Sequence, residues 1–315
     1  MINLLLLVAG FFLLVKGAGF LVDGASSLAK RLSISEIVIG LTVVAFGTSA
    51  PELAINVIAA AEGSVDIAFG NIVGSNLINI FVILGISGLI FPLRVQRNTV
   101  WKEIPFLFIS TALVFLLVND SLLWGKTESI LSRTDSVILL CGFVVFAVYV
   151  FVISRVKADS APEIRTRSVL ASVLFFLVGL AALLIGGKLT VDSAVSLART
   201  FGISEHIIGV TVIALGTSLP ELFTSAIAAF KRRSDIAIGN VVGSCIFNAL
   251  LVLGLTGLIR PIEYVNTLNL DMTFLLLAAG LLFLTMFTGK RRVLDRWESG
   301  TFLMIYAAYL FLLLF

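Results

Sequence analysis

Charge, histidine and cysteine are all scarce in this chain. Only 13% of its 315 residues are charged, where a soluble domain carries about a quarter. Two cysteines and six prolines argue against a disulfide framework or a disordered chain. Cys141 and Cys245 stand alone in apolar runs with no paired spacing, so packing is their expected role. The single histidine, His206 beside Glu205, reads as an interfacial residue. What fills the chain instead is apolar: 59% of residues are hydrophobic and the mean hydropathy is +1.12. These features exclude a soluble globular protein.

Apolar stretches long enough to span recur throughout, since a transmembrane helix needs about 20 such residues. The pattern predicts spans near 2–24, 36–60, 66–91, 103–119, 134–154, 168–190, 205–230, 235–259, 269–288 and 298–315. The runs are continuous and do not alternate, so helices fit and barrel strands do not. The first lacks a basic leader and carries Lys16, which reads as a retained span and not a cleaved signal peptide. Lys30–Arg31, Arg94/Arg97/Lys102, Arg155/Lys157/Arg165/Arg167, Lys231–Arg233 and Lys290–Arg292 fall in alternate loops. Between them lie acidic or mixed loops with Glu62 and Asp66, Asp120 to Asp135, Glu205, and Glu263. The positive-inside rule makes the basic loops cytoplasmic and both termini extracytoplasmic. The pI near 9 then reflects topology in an inner, plasma-type membrane, and no nucleic-acid partner is expected.

One segment occurs twice. Ile39–Glu52, with Gly-Thr-Ser-Ala-Pro-Glu at its end, returns as Ile208–Glu221, ending Gly-Thr-Ser-Leu-Pro-Glu. The offset of 169 also aligns Asp66–Ser75 with Asp235–Ser244, and Pro92 with Pro261, and roughly half of the positions from Ile34 to Pro92 are identical to their mates. Five spans per copy is an odd number, so the second copy should enter the membrane inverted. The loop charges agree: Glu62 aligns with Lys231, and Lys102 with Asp271. The expected fold is an all-α integral membrane protein of ten helices in two inverted five-helix repeats. Residues 1–154 form the first repeat, 155–167 a cytoplasmic linker and 168–315 the second. That architecture recurs in secondary transporters, with the site at the repeat interface near the midplane.

The motifs supply the chemistry. Pro51 and Pro220 have no N–H to give to the carbonyls of Gly47 and Gly216, so each helix should bend or break there. Carbonyls around Ala45–Thr48 and Ala214–Thr217 should be freed, which is tolerated at this depth only beside protein or a cavity. A carboxylate at a span centre costs about 2.5–3.5 kcal/mol, so Glu52 and Glu221 should face the interior as cation ligands. Lys16 and Lys188 are the basic residues nearest in depth, and each can snorkel to a helix end. Thr48 shares a helical face with Glu52, and Thr217 with Glu221; Ser75 and Asn79, like Ser244 and Asn248, repeat the four-residue spacing. Six to eight oxygens suit Ca²⁺, and the absence of His or Cys from this set disfavours zinc, copper or iron. Gly70, Gly74, Gly239 and Gly243 should let the broken helices approach closely.

At these residues the sequence resembles the calcium/cation antiporter superfamily, and within it the prokaryotic sodium/calcium exchanger branch. The paired signatures Gly-Thr-Ser-x-Pro-Glu and Gly-Asn-x-x-Gly-Ser carry the likeness, joined by Gly17–Ala25 and Gly186–Ala194 in the first helix of each copy. The resemblance implies that Glu52 and Glu221 ligate Ca²⁺ with the carbonyls of Thr48 and Thr217. It implies flanking Na⁺ sites on Ala45, Ser49 and Ser244, and on Ala214, Ser218 and Ser75, with Asn79 central. The first helices of the two copies would slide to alternate access. Asp23 and Asp192 lie on those helices near an expected end and read as solvated.

Asn248 stands where some relatives, including potassium-dependent ones, carry Asp, which leaves two central carboxylates and points to potassium independence. Proton/calcium exchangers carry an acid at the positions of Ser75 and Ser244, so the serines favour Na⁺ as coupling ion. The expected function is Na⁺/Ca²⁺ antiport by alternating access, with a proton-coupled or potassium-dependent Ca²⁺ antiporter, and then a cation channel, as the alternatives. An intramembrane hydrolase would need a His base, Cys nucleophile or Ser dyad at matched depth, so no enzymatic activity is expected. Ca²⁺ and Na⁺ are substrates, the bilayer is the partner, no cofactor is implied and a monomer is the default expectation.

Overall fold

A computed structural model describes residues 2–63, 68–120, 129–155, 167–201 and 214–314. His206, Glu205, Asp66 and most of the 155–167 linker lie outside these residues. The helices are α1 Ile2–Leu32, α2 Glu36–Thr48 and α3 Ala50–Glu62, α4 Ala68–Ile90, α5 Thr99–Val118, α6 Arg133–Ser154 and α7 Val169–Thr200. Then follow the single turn α8 Ala214–Thr217, α9 Leu219–Phe230, α10 Ser234–Ile259, α11 Asn266–Thr285 and α12 Arg296–Leu314. Among the described residues, seven helices are long and apolar enough to span (α1, α4, α5, α6, α7, α10 and α11), and the bent pair α2–α3 makes an eighth.

Two of these form the core. In the most apolar stretch of α10, 94% of residues are buried, and in α4 78%, against 22% in α6 and 28% in α7. A helix apolar on all faces belongs either in a core or against lipid, and this chain has both kinds. The outer helices expose Val144, Val145, Val148, Phe151, Leu174 and Leu177, the surface a bilayer requires.

α1 and α7 pair along their lengths through small residues. A Cβ on Gly17 would lie 2.8 Å from the carbonyl of Gly179, and one on Gly186 2.9 Å from the carbonyl of Gly10. Backbones meet directly there, the usual basis of helix association in lipid. Both helices overrun their expected limits at 24 and 190, reaching Leu32 and Thr200. Asp23 and Asp192 are therefore inside helices, not near their ends. Apolar length marks the membrane-crossing part of a helix, not where its hydrogen bonding stops.

Among the described residues, four two-residue strands tie the loops together: β1 Leu93–Arg94, β2 Ile130–Leu131, β3 Ile262–Glu263 and β4 Val293–Leu294. β1 pairs antiparallel with β4 (Leu93 opposite Leu294), and β2 with β3 (Leu131 opposite Ile262). β1 and β3 are mates in the 169-residue offset, so each copy donates one strand to the other in a reciprocal pattern.

Candidate functional site

The repeated motif breaks where the prolines predict. α2 and α3 meet at a 46° bend, with Ser49 at the junction (φ −83°, ψ 7°) and Pro51 in the first turn of α3. Ser218 repeats this between α8 and α9 (φ −86°, ψ 4°), with Pro220 in the first turn of α9. Proline is well placed there, because a first-turn N–H has no helical acceptor to lose. Glu52 and Glu221 thus sit in the first turn of a new helix, where the positive end of the helix dipole favours a carboxylate.

Both glutamates are buried, each 1% exposed, and each carboxylate is close enough to the opposite copy to be influenced by it. Electrostatic influence crosses between the copies: Glu221 and Thr217 act on the Glu52 carboxyl, and Ser49 and Thr48, with Ser244 of its own copy, on that of Glu221. The Ser49 hydroxyl donates to Glu221 Oε1 at 2.9 Å. Eight oxygens of the predicted set are buried without a hydrogen-bond partner among the described residues. They are Oε2 of Glu52 and Glu221, Oγ of Ser75, Ser218 and Ser244, Oγ1 of Thr217, and Oδ1 of Asn79 and Asn248. An uncompensated buried polar group costs about 1–3 kcal/mol and a charged one more. Gathering so many acceptors makes physical sense if cations complete them, and hydroxyl, amide and carboxylate oxygens are the donors that hard cations take. Among the described residues no cluster of three His, Cys, Asp or Glu could hold a metal, so neutral oxygens must supply most of any coordination shell.

The remaining predicted positions are also close to the break. Thr48 is fully buried; its hydroxyl donates to Asn240 Oδ1 at 3.0 Å and contacts the Ala45 carbonyl at 3.3 Å. That carbonyl also accepts from Ser49 N at 2.9 Å, so a cation at Ala45 would displace the Thr48 contact. The main chain of Ala214 opens the α8 turn; its side chain lies outside what is described. Asn248 Nδ2 donates to Asn76 Oδ1 at 3.1 Å, joining α10 to α4.

Several contributors were not assigned from sequence. Asn240 accepts from Thr48 and donates to Ser225 Oγ (3.0 Å) and to the Glu221 carbonyl (3.4 Å), bracing both breaks. Its place in the repeated Gly-Asn-x-x-Gly-Ser motif was the available signal. Asn56 Nδ2 donates to the Glu52 carbonyl at 2.7 Å. Asn76 Nδ2 donates to the carbonyl of its own repeat mate, Cys245, at 3.2 Å. Asn79 and Asn248 lie on π-helical turns, Ile78–Ile83 and Phe247–Val252. Such turns add a residue to the helical circuit, re-aim side chains and are frequent at functional sites.

The profile of one protein family, described as sodium/calcium exchanger protein, matches residues 2–152 and 171–315. The chain belongs to the sodium/calcium exchanger family. It is 37% identical to the putative antiporter CaxA of Alkalimonas amylolytica, over 96% of each chain. It is 32% identical to the sodium/calcium exchanger MaX1 of Methanosarcina acetivorans, over 100% of this chain and 99% of the relative. Its structure is similar to that of the sodium-calcium exchanger NCX_Mj soaked with 10 mM Na⁺ and zero Ca²⁺. The TM-score is 0.84 at 28% identity, covering 98% of this chain and 97% of the other. The family match spans both copies of the repeat, and Glu52 and Glu221 lie within the matched residues.

Proposed function

We propose that this exchanger-family protein couples inward Na⁺ movement to Ca²⁺ extrusion by alternating access, with Glu52 and Glu221 as the carboxylates that hold Ca²⁺. The observation that carries this reading is the group of buried, unpartnered oxygens at mated positions of the two signatures. Thr48, Thr217 and the two glutamates form the Ca²⁺ site, and Asn79 and Asn248 lie between the copies. Ser49, Ser244 and Ala45, with Ser218, Ser75 and Ala214, form flanking Na⁺ sites. Two carboxylates match the charge of one Ca²⁺. Serine at 75 and 244 supports Na⁺ in preference to protons as the coupling ion. The names of MaX1 and NCX_Mj support the same ion pair.

The ten-helix, two-repeat inverted architecture is part of this proposal, with both termini extracytoplasmic in an inner membrane and the chain a monomer. Support comes from three reciprocal contacts: β1–β4 with β2–β3, Gly17–Gly179 with Gly186–Gly10, and Asn76 with its mate Cys245. A two-fold relation between the copies generates all three. Charge reversal between Glu62 and Lys231 supports opposite sidedness.

The deciding experiment uses Na⁺-loaded proteoliposomes diluted into Na⁺-free buffer containing labelled Ca²⁺. The wild type takes up Ca²⁺, and Glu52→Gln or Glu221→Gln reduces uptake to background. Normal uptake in both variants would remove the site assignment. Uptake driven by a pH gradient without Na⁺ would replace the coupling ion. If three Na⁺ exchange for one Ca²⁺, one net charge crosses per cycle, worth about 2.3 kcal/mol per 100 mV, and uptake depends steeply on membrane potential.

A further inference from the structure

Outside the candidate ion site lies a cavity of about 590 Å³ lined by Arg97, Val100, Trp101, Met286, Phe287, Arg291 and Arg292. We infer that this cavity binds the phosphate-bearing headgroup of an anionic phospholipid. It lies at headgroup depth, since it is built where α5 begins at Thr99 and where α11 ends at Thr285. Trp101 and Phe287 are 58% and 47% exposed and stack edge-on with each other and with Phe283, with centroids 5.1–5.8 Å apart. Exposed aromatics at this level form the interfacial belt. Here they wall a pocket whose other lining is cationic.

Three arginines line one space, and none is in an ion pair with a described residue. Such convergence is repulsive unless an anion lies among them, and arginine's planar fork matches phosphate oxygens two at a time. Two acids that follow the arginine loop are engaged elsewhere. Asp295 Oδ2 accepts from Lys290 N at 3.3 Å, and Glu298 Oε2 from Asp295 N at 2.7 Å. A volume of this size is in the range of small-ligand sites, and the exposed rings of Trp101 and Phe287 offer apolar contact to the first part of an acyl chain.

A basic cytoplasmic loop alone would account for positive charge, but not for its rigid arrangement. Arg292 has φ +60°, a left-handed backbone that non-glycine residues adopt at a cost. It is fixed on both sides: Arg292 N donates to the Met286 carbonyl (2.9 Å), and its own carbonyl accepts from Val95 N (2.8 Å) beside the β1–β4 pair. The pocket is also one-sided. At the mated positions of the second copy, Arg97 is replaced by Asn266, Trp101 by Leu270 and Arg94 by Glu263. This inference requires only that the chain lies in a bilayer, so it stands or falls separately from the exchange reaction.

The test uses the full chain with Trp124→Phe and Trp297→Phe, leaving Trp101 as the reporter. Phosphatidylglycerol with brominated acyl chains is titrated in detergent and compared with brominated phosphatidylcholine. Phosphatidylglycerol should quench Trp101 at about one tenth the concentration or less, and Arg97→Gln with Arg291→Gln should erase that preference. If the double variant does not fold, the exposed single change Arg291→Gln should narrow the preference several-fold. Equal quenching by the two lipids in the unsubstituted background would overturn the proposal. Release of bound phosphatidylglycerol by millimolar inorganic phosphate at constant ionic strength would overturn the lipid as occupant in favour of free phosphate.

Discussion

Thr48 and Thr217 occupy the same position in two copies of one motif, yet they are held differently. Thr48 is fully buried and bonded to Asn240, and next to it Ser49 bonds Glu221. Across the molecule, Thr217 Oγ1 and Ser218 Oγ have no partner among the described residues, and neither does the amide nitrogen of Asn71, the mate of Asn240. The glycines tell the same story. A Cβ on Gly243 would lie 2.7 Å from Ala45 Cβ and 2.8 Å from the Leu41 carbonyl, and one on Gly239 2.9 Å from the Ile37 carbonyl. A Cβ on Gly70 or Gly74 would meet no described atom within 4 Å. Gly70 is exposed and Gly239 buried. Side chains that are identical in sequence are thus bonded on one side of the site and, among the described residues, unpartnered on the other. The asymmetry belongs to conformation, and a transporter that alternates access needs such an asymmetry that can reverse.

Substitutions at mated positions should therefore have unequal effects. Asn240→Ala strands the Thr48 hydroxyl and the Glu221 carbonyl, at a cost of up to about 3 kcal/mol. Asn71→Ala removes an amide nitrogen that already lacks a partner, so its thermal stability should be unchanged or slightly higher. Equal loss of thermal stability in both variants would show that the two sides are alike in solution. Gly243→Ala forces a methyl between two backbones in direct contact, a destabilisation of about 2 kcal/mol. Gly74→Ala has room and gains up to about 1 kcal/mol of helix propensity. If the Gly74 face packs against backbone during the cycle as the Gly243 face does here, Gly74→Ala should keep its stability while slowing Ca²⁺ uptake; unchanged uptake would show that this face never packs so tightly.

The candidate site was legible because its motifs are written twice. Glu52 and Glu221, and the serines and asparagines in register with them, stand out from an apolar background in which each polar residue needs a reason. The brace at Asn240 was not legible, because its partners Thr48 and Ser225 are distant in sequence and only packing joins them. The π-helical turns at Asn79 and Asn248 leave no mark in composition, since a five-residue hydrogen-bond step changes backbone register and not residue type. Helix limits failed at Leu32 and Thr200 for a related reason: membrane thickness sets the apolar run, while the helix continues as long as its backbone bonds are satisfied. The span read at 36–60 is in fact two helices, as the proline in its middle indicated.

The smallest expected effect sharpens the comparison most. Lys231 Nζ forms an ion pair with Asp23 at 2.6 Å and also donates to the Gly19 carbonyl at 2.8 Å, tying α1 to the loop before α10. At the mated positions Lys231 is replaced by Glu62 and Gly19 by Lys188, while Asp23 becomes Asp192. Glu62 and Lys188 are exposed here. If the two copies exchange conformations, Glu62 arrives where Lys231 is now, facing Asp192, with Lys188 one helical turn away to pair with it. An exposed pair contributes about 0.2–1 kcal/mol, so each acts as a bias on the equilibrium and not as a latch. Lys231→Gln should shift the balance between the two access states by up to about fivefold, and Glu62→Gln should shift it the other way. The ratio of half-saturating Ca²⁺ concentrations on the two faces of oriented vesicles reports that shift. Exchanging the charges, as Asp23→Lys with Lys231→Asp, should restore the wild-type ratio. Shifts of the same sign from Lys231→Gln and Glu62→Gln would show that these ion pairs do not alternate.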